Sequence, residues 1–305
     1  MFQDSSTPYA MSTQAPLSFR AEGYEYDHEV LVTLPPSYSV SADRSYFVLW
    51  AMDGAMQHML IAGIVNMYII SKRLPEMIVI SVGHSSEQGM AGLIKREYDL
   101  LPPGSTTADD DTLAASLKAN DGGLREELSK HFKADKFQDF LIDQLRPQLA
   151  ERYRMNGDHA LVGFSSGGYF AGYSMFSRPG AFSRYLIGSG THPQTPMLEA
   201  QYAESHSDLA ARVFLGAGSG EVSDLNMSAS RIVSRTVYLA ENLRMRQYPS
   251  LALKTQIYTD RDHLTVMAPL LADGVEYLYA NEFEEQAGRM NQPGDSHQSA
   301  SSKHD

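Results

Sequence analysis

The chain has 305 residues, 43% hydrophobic and 20% charged, the balance of a soluble globular protein rather than a disordered or membrane-embedded one. Its formal net charge of −12 leaves no concentrated basic surface, which argues against nucleic acid and against anionic membranes as partners. The absence of cysteine excludes disulfides, thiolate catalysis and cysteine-ligated metals.

Residues 1–16 read as an extended arm that Phe2, Tyr9 and Leu17 could pin to the body. From Met1 to Pro16 there is no basic start and no apolar core, so no secretory signal is present; the expectation is a cytoplasmic protein, with an exported mature form left open. Glu29 to Leu34 reads as a strand stopped by Pro35-Pro36, and Tyr46 to Met52 as a buried strand ending at Asp53-Gly54. The apolar helical stretch Ala55 to Ile70 carries Gln57, His58 and Asn66 and is too short to span a bilayer comfortably. Ile78 to Val82 is the next strand, ending at Gly83-His84.

Pro102 to Lys130 reads as an excursion from the sheet, a cap or lid. Its Asp109-Asp110-Asp111 run is read as solvated charge and helix capping rather than a metal site. Phe137, Phe140, Leu141, Leu145 and Leu149 recur at helical spacing between Lys136 and Met155, with a kink or break expected at Pro147. A short strand, His159 to Val162, then a small-residue helix, Gly167 to Phe176, follow. Tyr185 to Ile187, Arg212 to Leu215 and Leu251 to Tyr258 are further strands, and Glu284 to Asp305 is expected to be disordered. The alternation describes one α/β domain over residues 17–283, a mostly parallel sheet flanked by helices.

Between the strand at His159 and the helix at Gly167 lies Gly163-Phe164-Ser165-Ser166-Gly167. A serine on so sharp a strand-to-helix turn needs very small neighbours, and the two glycines supply them, which makes Ser165 a candidate nucleophile. Such a serine needs a base, an acid that orients the base, and donors for the oxyanion. His263 follows the last strand in the expected chain order and is the candidate base; His58, His84 and His192 also lie near strand ends but out of that order. For the acid, Glu221 is preferred with Asp224 in reserve, because Asp262 is adjacent to His263 and badly placed to reach its Nδ1. The oxyanion donors would be the backbone N–H groups of Ser166 and Ala55. Met52 and Met56 are candidates for lining an apolar acyl pocket.

Five separated motifs resemble the putative esterase branch of the α/β-hydrolases, which includes esterase D-type enzymes, siderophore esterases, some feruloyl esterases and, more distantly, mycolyltransferases. They are Val48 to Gly54, Arg96 to Pro102, Phe140 to Pro147 with Tyr153, Gly163 to Ala171, and Asp262 to Val266, and together they span about residues 20–280. Phe164 stands where the family has histidine, Gln144 where it has an acid, and Ala51-Met52 where it has Leu-Leu. The resemblance implies the α/β-hydrolase fold, a Ser165–Glu221–His263 triad and no metal or organic cofactor. Asp53 and Arg96 could contact substrate, or serve as a turn former and as a partner of Asp99. The expected activity is hydrolysis of a small-molecule carboxylic ester through an acyl-enzyme. An acyltransferase, a siderophore esterase lacking the usual basic cluster, and a noncatalytic binding protein are the alternatives; oligomeric state stays open.

Overall fold

Strands buried on both faces read as near-continuous runs of Val, Ile, Leu and aromatic residues, because helices cover each side of the sheet. A computed structural model, which describes residues 8–105, 122–224, 227, 228 and 230–290, shows this arrangement. The strands are β1 Ser12–Thr13, β2 Leu17–Arg20, β3 Asp27–Leu34, β4 Tyr46–Met52, β5 Met77–Gly83, β6 Met155–Phe164, β7 Arg184–Gly188, β8 Arg212–Gly218 and β9 Ala252–Tyr258. The helices are α1 Gly54–Ile70, α2 Gly89–Leu100, α3 Leu124–Ser129, α4 Ala134–Asp139, α5 Arg146–Ala150, α6 Ser166–Ser177, α7 Thr195–Ser205, α8 Ile232–Arg246 and α9 Met267–Met290.

The sheet runs β1-β3-β5-β4-β6-β7-β8-β9, with β2 also paired to β3. From β5 through β9 every pairing is parallel, and β3 joins β5 antiparallel. Alternation along β4 divides two cores. Val48, Trp50 and Met52 face Phe137, Phe140 and Phe170, whereas Leu49 and Ala51 face Ile61 of α1 and Leu270 of α9. The carboxyl ends of β4, β6, β8 and β9 therefore share one edge, where the chain turns into α1, α6, the Ser219–Ser223 turn and the loop before α9.

Ser12 and Thr13 pair with Leu34 and Thr33, and the Met11 N–H donates to Asn66 Oδ1 at 2.9 Å. Leu17 packs on the core as expected, but Tyr9 is exposed and pins nothing. Helix α9 runs to Met290, into the stretch expected to be disordered, because Glu, Gln, Ala and Arg extend a helix cheaply once its first turns are packed. Residues 106–121 of the excursion, including Asp109 to Asp111, lie outside the described residues, as do 291–305.

Pro147 neither breaks nor sharply ends its helix. Phe140–Leu145 forms a π turn between α4 and α5, in which the Arg146 N–H donates five residues back to Leu141. The wider turn precedes the residue that lacks an N–H, and the Gln148 side chain donates to the Gln144 carbonyl at 3.1 Å.

Two histidines, His192 buried and His159 half-buried, make the fold acid-sensitive. His159 Nδ1 accepts the Trp50 indole N–H at 3.1 Å, and His192 Nδ1 accepts the Gln194 N–H at 3.1 Å, so protonation of either nitrogen breaks its bond. Burial pushes His159 down to about 4, helped by Arg146, and His192 down to about 3, helped by Arg235. Both values are depressed in the fold, so between the ordinary 6.5 and those values the unfolded chain binds the extra protons and stability falls with pH. His192 alone should remove about 3 kcal/mol by about pH 4. Denaturant midpoints measured across this window should decline steadily. His159→Gln, whose amide oxygen keeps an acceptor for Trp50, should lessen the slope, and an unchanged slope would show that His159 contributes nothing to it.

Candidate active site

The turn after β6 is built by close backbone approach. A Cβ on Gly163 would lie 1.9 Å from the Gly167 carbonyl oxygen, and one on Gly190 would lie 2.2 Å from the Ser165 carbonyl oxygen. Ser165 is consequently held at φ 57, ψ −125, a conformation that side chains avoid, and its N–H donates to the Gly188 carbonyl at 2.8 Å. The strain lifts the hydroxyl clear of the sheet edge, toward the loop after β9.

His263 sits on that loop. Its Nε2 is 3.0 Å from Ser165 Oγ, and its Nδ1 is 2.5 Å from Glu221 Oε1. Glu221 is 1% exposed, and its other oxygen accepts the Gly218 N–H at 2.9 Å and the Ser189 hydroxyl at 3.1 Å. These donors offset the desolvation of a buried carboxylate and aim its remaining oxygen at the imidazole. Phe164, the residue that departs from the family pattern, packs its ring 4.9 Å from the His263 ring and holds the imidazole from beneath. Serine, imidazole and carboxylate thus form one hydrogen-bonded line, the arrangement that permits proton removal from a hydroxyl at its moment of attack.

The other candidates fall elsewhere. Asp224 is exposed and accepts the Met227 N–H at 3.0 Å. Asp262 caps its own turn, with Oδ1 accepting the N–H groups of Leu264 and Thr265 at 3.0 and 2.8 Å. His58 bridges Thr33 and Ser81 in the interior, His84 is bound to Asp99, and His192 is buried beneath Tyr169. Met52 is fully buried in the core on the same sheet face as its register partner Val82 and presents no exposed surface, whereas Met56, in the first turn of α1, is exposed.

Ala55 and Ser166 are first-turn residues of α1 and α6, where N–H groups lack intrahelical acceptors. A charged network joins the two turns. Asp53 has left-handed backbone (φ 62, ψ 48), and its carboxylate receives both Arg96 Nε at 2.5 Å and Arg96 Nη2 at 3.0 Å, with Gln57 Nε2 at 2.9 Å. Arg96 Nη1 meets Glu97 at 2.5 Å, and Glu97 in turn accepts the Ser166 hydroxyl at 2.9 Å. Arg96 therefore pairs with Asp53 and Glu97, not with Asp99 as the sequence suggested. Asp99 is taken by Tyr26 at 2.6 Å, His28 at 3.0 Å and His84 at 2.8 Å. Glu97 was missed because nothing local marks it; its adjacency to Arg96 was the sole available signal.

His28, His84 and Asp99 are also the one group of possible metal ligands among the described residues. A ligating imidazole ordinarily donates its second nitrogen to an acceptor, and Nδ1 of both histidines lacks a partner, so the group fits a hydrogen-bonded carboxylate better than an ion.

Arg96→Met would leave the Asp53 carboxylate buried with Gln57 as its remaining side-chain donor. That substitution should cost about 3–5 kcal/mol of stability in denaturant unfolding, and a cost below about 1 kcal/mol would mean the pair is dispensable.

Comparison with known proteins follows the same lines. Residues 22–250 match the family described as Putative esterase. A siderophore enterobactin esterase of Emericella nidulans is 27% identical over 225 residues, 66% of this chain and 71% of that protein. Among solved structures, the BES protein from Bacillus cereus superposes with a TM-score of 0.70 at 19% identity, covering 92% of this chain and 97% of that one. The siderophore hydrolase EstB from Aspergillus nidulans gives a TM-score of 0.69 at 19% identity, covering 88% and 96%. With residues 22–250 matching the family and the fold shared over about nine-tenths of the chain, this chain belongs to the Putative esterase family, as a carboxylic ester hydrolase of the α/β-hydrolase fold.

Proposed function

We propose that the chain hydrolyses its ester through an acyl-enzyme on Ser165, with His263 as general base and acid and Glu221 as the orienting carboxylate. The single observation that carries this is the continuous line from Glu221 Oε1 through His263 to Ser165 Oγ, at 2.5 and 3.0 Å. Ser165 Oγ attacks the carbonyl carbon while its proton passes to His263 Nε2. The carbonyl oxygen, now negative, accepts from the N–H groups of Ala55 and Ser166. Collapse breaks the ester C–O bond, and His263 returns the proton to the departing alcohol. Water then repeats the sequence against the acyl-serine and restores the hydroxyl. Each step is a proton or acyl transfer between groups already in place, so the chemistry calls for no metal or redox cofactor.

Glu221 keeps the His263 Nδ1–H in the tautomer that leaves Nε2 free to accept, and stabilises the imidazolium formed during attack. Its acceptors are already filled by Gly218 and Ser189, which prevents rotation away from the ring.

A second reading assigns a siderophore ester as substrate, favoured by the likeness to the Emericella nidulans enzyme. Comparing kcat/KM on enterobactin with that on simple aryl esters separates a dedicated siderophore hydrolase from a general one; equal or lower values on enterobactin would count against it.

A fluorophosphonate probe should label the wild type and not Ser165→Ala, and equal labelling of both would sink the nucleophile assignment. His263→Ala should lower kcat by about 10⁴-fold, whereas Asp224→Asn should stay within about twofold of wild type. A large loss in the Asp224 variant would move the acid to that position.

A further inference from the structure

A cavity of about 250 Å³ opens beside the Ala55 turn, between α1, the end of β5 and α2. Its wall is largely apolar, with Met56, Val82, Leu93, Leu100 and Phe137 contributing side chains. The cavity is somewhat smaller than the ~300–1,000 Å³ sites that take drug-sized ligands, and it suits one ring or one branched chain.

Its position relative to the proposed chemistry limits which half of an ester it could receive. The departing alcohol must face His263 Nε2, which protonates it, whereas the carbonyl oxygen must face Ala55. Among the described residues, Ala55 belongs to the cavity wall, and Ser165, Ser166 and His263 do not. A group reaching the cavity from Ser165 therefore passes the Ala55 N–H, the side on which the proposed oxyanion forms. Gly89 and Gly92 also belong to the wall; Gly89 has φ +54, and Gly92 lets α2 lie close on the turn before it, since a Cβ there would press the Gln88 and His84 side chains at 3.2 and 3.4 Å.

The charge around the cavity selects further. Arg96 is the cationic side chain in its wall, and its guanidinium is engaged by Asp53 and Glu97. Asp99, also in the wall, is 2% exposed. Burial alone would raise its carboxyl, but hydrogen bonds from His28 and His84 outweigh that and hold it below the ordinary range, so it stays ionised. His84, the other basic residue among the described lining, is bound through Nε2 to Asp99, so both Arg96 and His84 already face a carboxylate when a substrate carboxylate arrives.

We propose that this cavity is the acyl subsite and that it takes an uncharged aryl or branched aliphatic acyl group, rejecting acyl chains that carry a carboxylate. The assignment rests on the reading of Ser165 as nucleophile. Leu93, 43% exposed on α2, is the wall residue best suited to test it, since enlarging or trimming it leaves the sheet untouched.

The experiment measures kcat/KM for 4-nitrophenyl acetate, benzoate, 1-naphthoate, hexanoate and the half-ester of adipic acid, with fluorophosphonate labelling of Ser165 run in parallel. Wild type should prefer hexanoate over the adipate half-ester by about a hundredfold or more, since an unpaired carboxylate in this wall would lose its water without gaining a partner. Leu93→Trp should reduce the benzoate-to-acetate ratio by about tenfold or more, and Leu93→Ala should raise the naphthoate-to-acetate ratio. If the tryptophan variant does not fold, the alanine variant decides. Ratios unmoved in the folded variants, with Ser165 labelled, would overturn the subsite alone, as would a readily cleaved adipate half-ester. Absence of labelling at Ser165 would instead overturn the nucleophile reading beneath it.

Discussion

The two-pronged pair between Arg96 and Asp53 is the interaction on which the catalytic end of the molecule depends. Asp53 closes β4 and opens α1 in a left-handed conformation, so the direction of the Ala55 N–H depends on how firmly that residue is held. Asp53 is gripped from α2 by Arg96 and from its own helix by Gln57. The same guanidinium reaches Glu97, which holds Ser166 at the start of α6. One arginine thus bridges the two turns that present the proposed oxyanion donors. A planar fork fits this task better than a lysine, because two carboxylates must be met at fixed angles at once.

Helix α2 is itself anchored from behind. Asp99 draws Tyr26, His28 and His84 onto one buried carboxylate, tying the helix to β3 and to the end of β5. Its neighbours three and two residues earlier, Arg96 and Glu97, then have little freedom. The opposite wall is built without a cation: Glu221 is satisfied by one backbone N–H, one hydroxyl and the imidazole. That difference suits their tasks. Asp53 only has to stay put, whereas in the proposed mechanism Glu221 answers a charge that appears on His263 and vanishes, and a permanent cation beside it would blunt that response.

Much of this was legible in the sequence, for identifiable reasons. The parallel strands announced themselves as short apolar runs ending in turn residues, and the glycines around Ser165 marked a turn that admits no Cβ. Exclusion of Asp262 followed from the geometry of adjacent side chains and matches its role as a cap of its own loop. What the sequence hid were pairings between distant residues. Arg96 has Asp99 one turn away, an attractive local partner, yet it turns to Asp53, 43 residues earlier. Asp99 in turn meets His28 across 71 residues, and Glu97 meets Ser166 across 69. Met52, next to Asp53 in the chain, is closed over by core packing that its neighbours in sequence do not announce.

Phe164 shows how a departure from a family pattern can be absorbed without loss of design. It is 1% exposed, faces the same core as Leu270 of α9, and places its ring against His263. A histidine there would bring a second titratable ring next to the proposed base, whereas phenylalanine supplies only a surface. Gly188 and Gly216 open the space below, since a Cβ on either would meet Leu270 within 2.6 and 2.9 Å. The imidazole therefore rests on Phe164, which packs in the same core as Leu270 of α9, and its hydrogen bonds to Glu221 and Ser165 fix its rotation. An apolar support of this kind brings no charge beneath His263, so the polar partners of its ring are Glu221 on one side and Ser165 on the other.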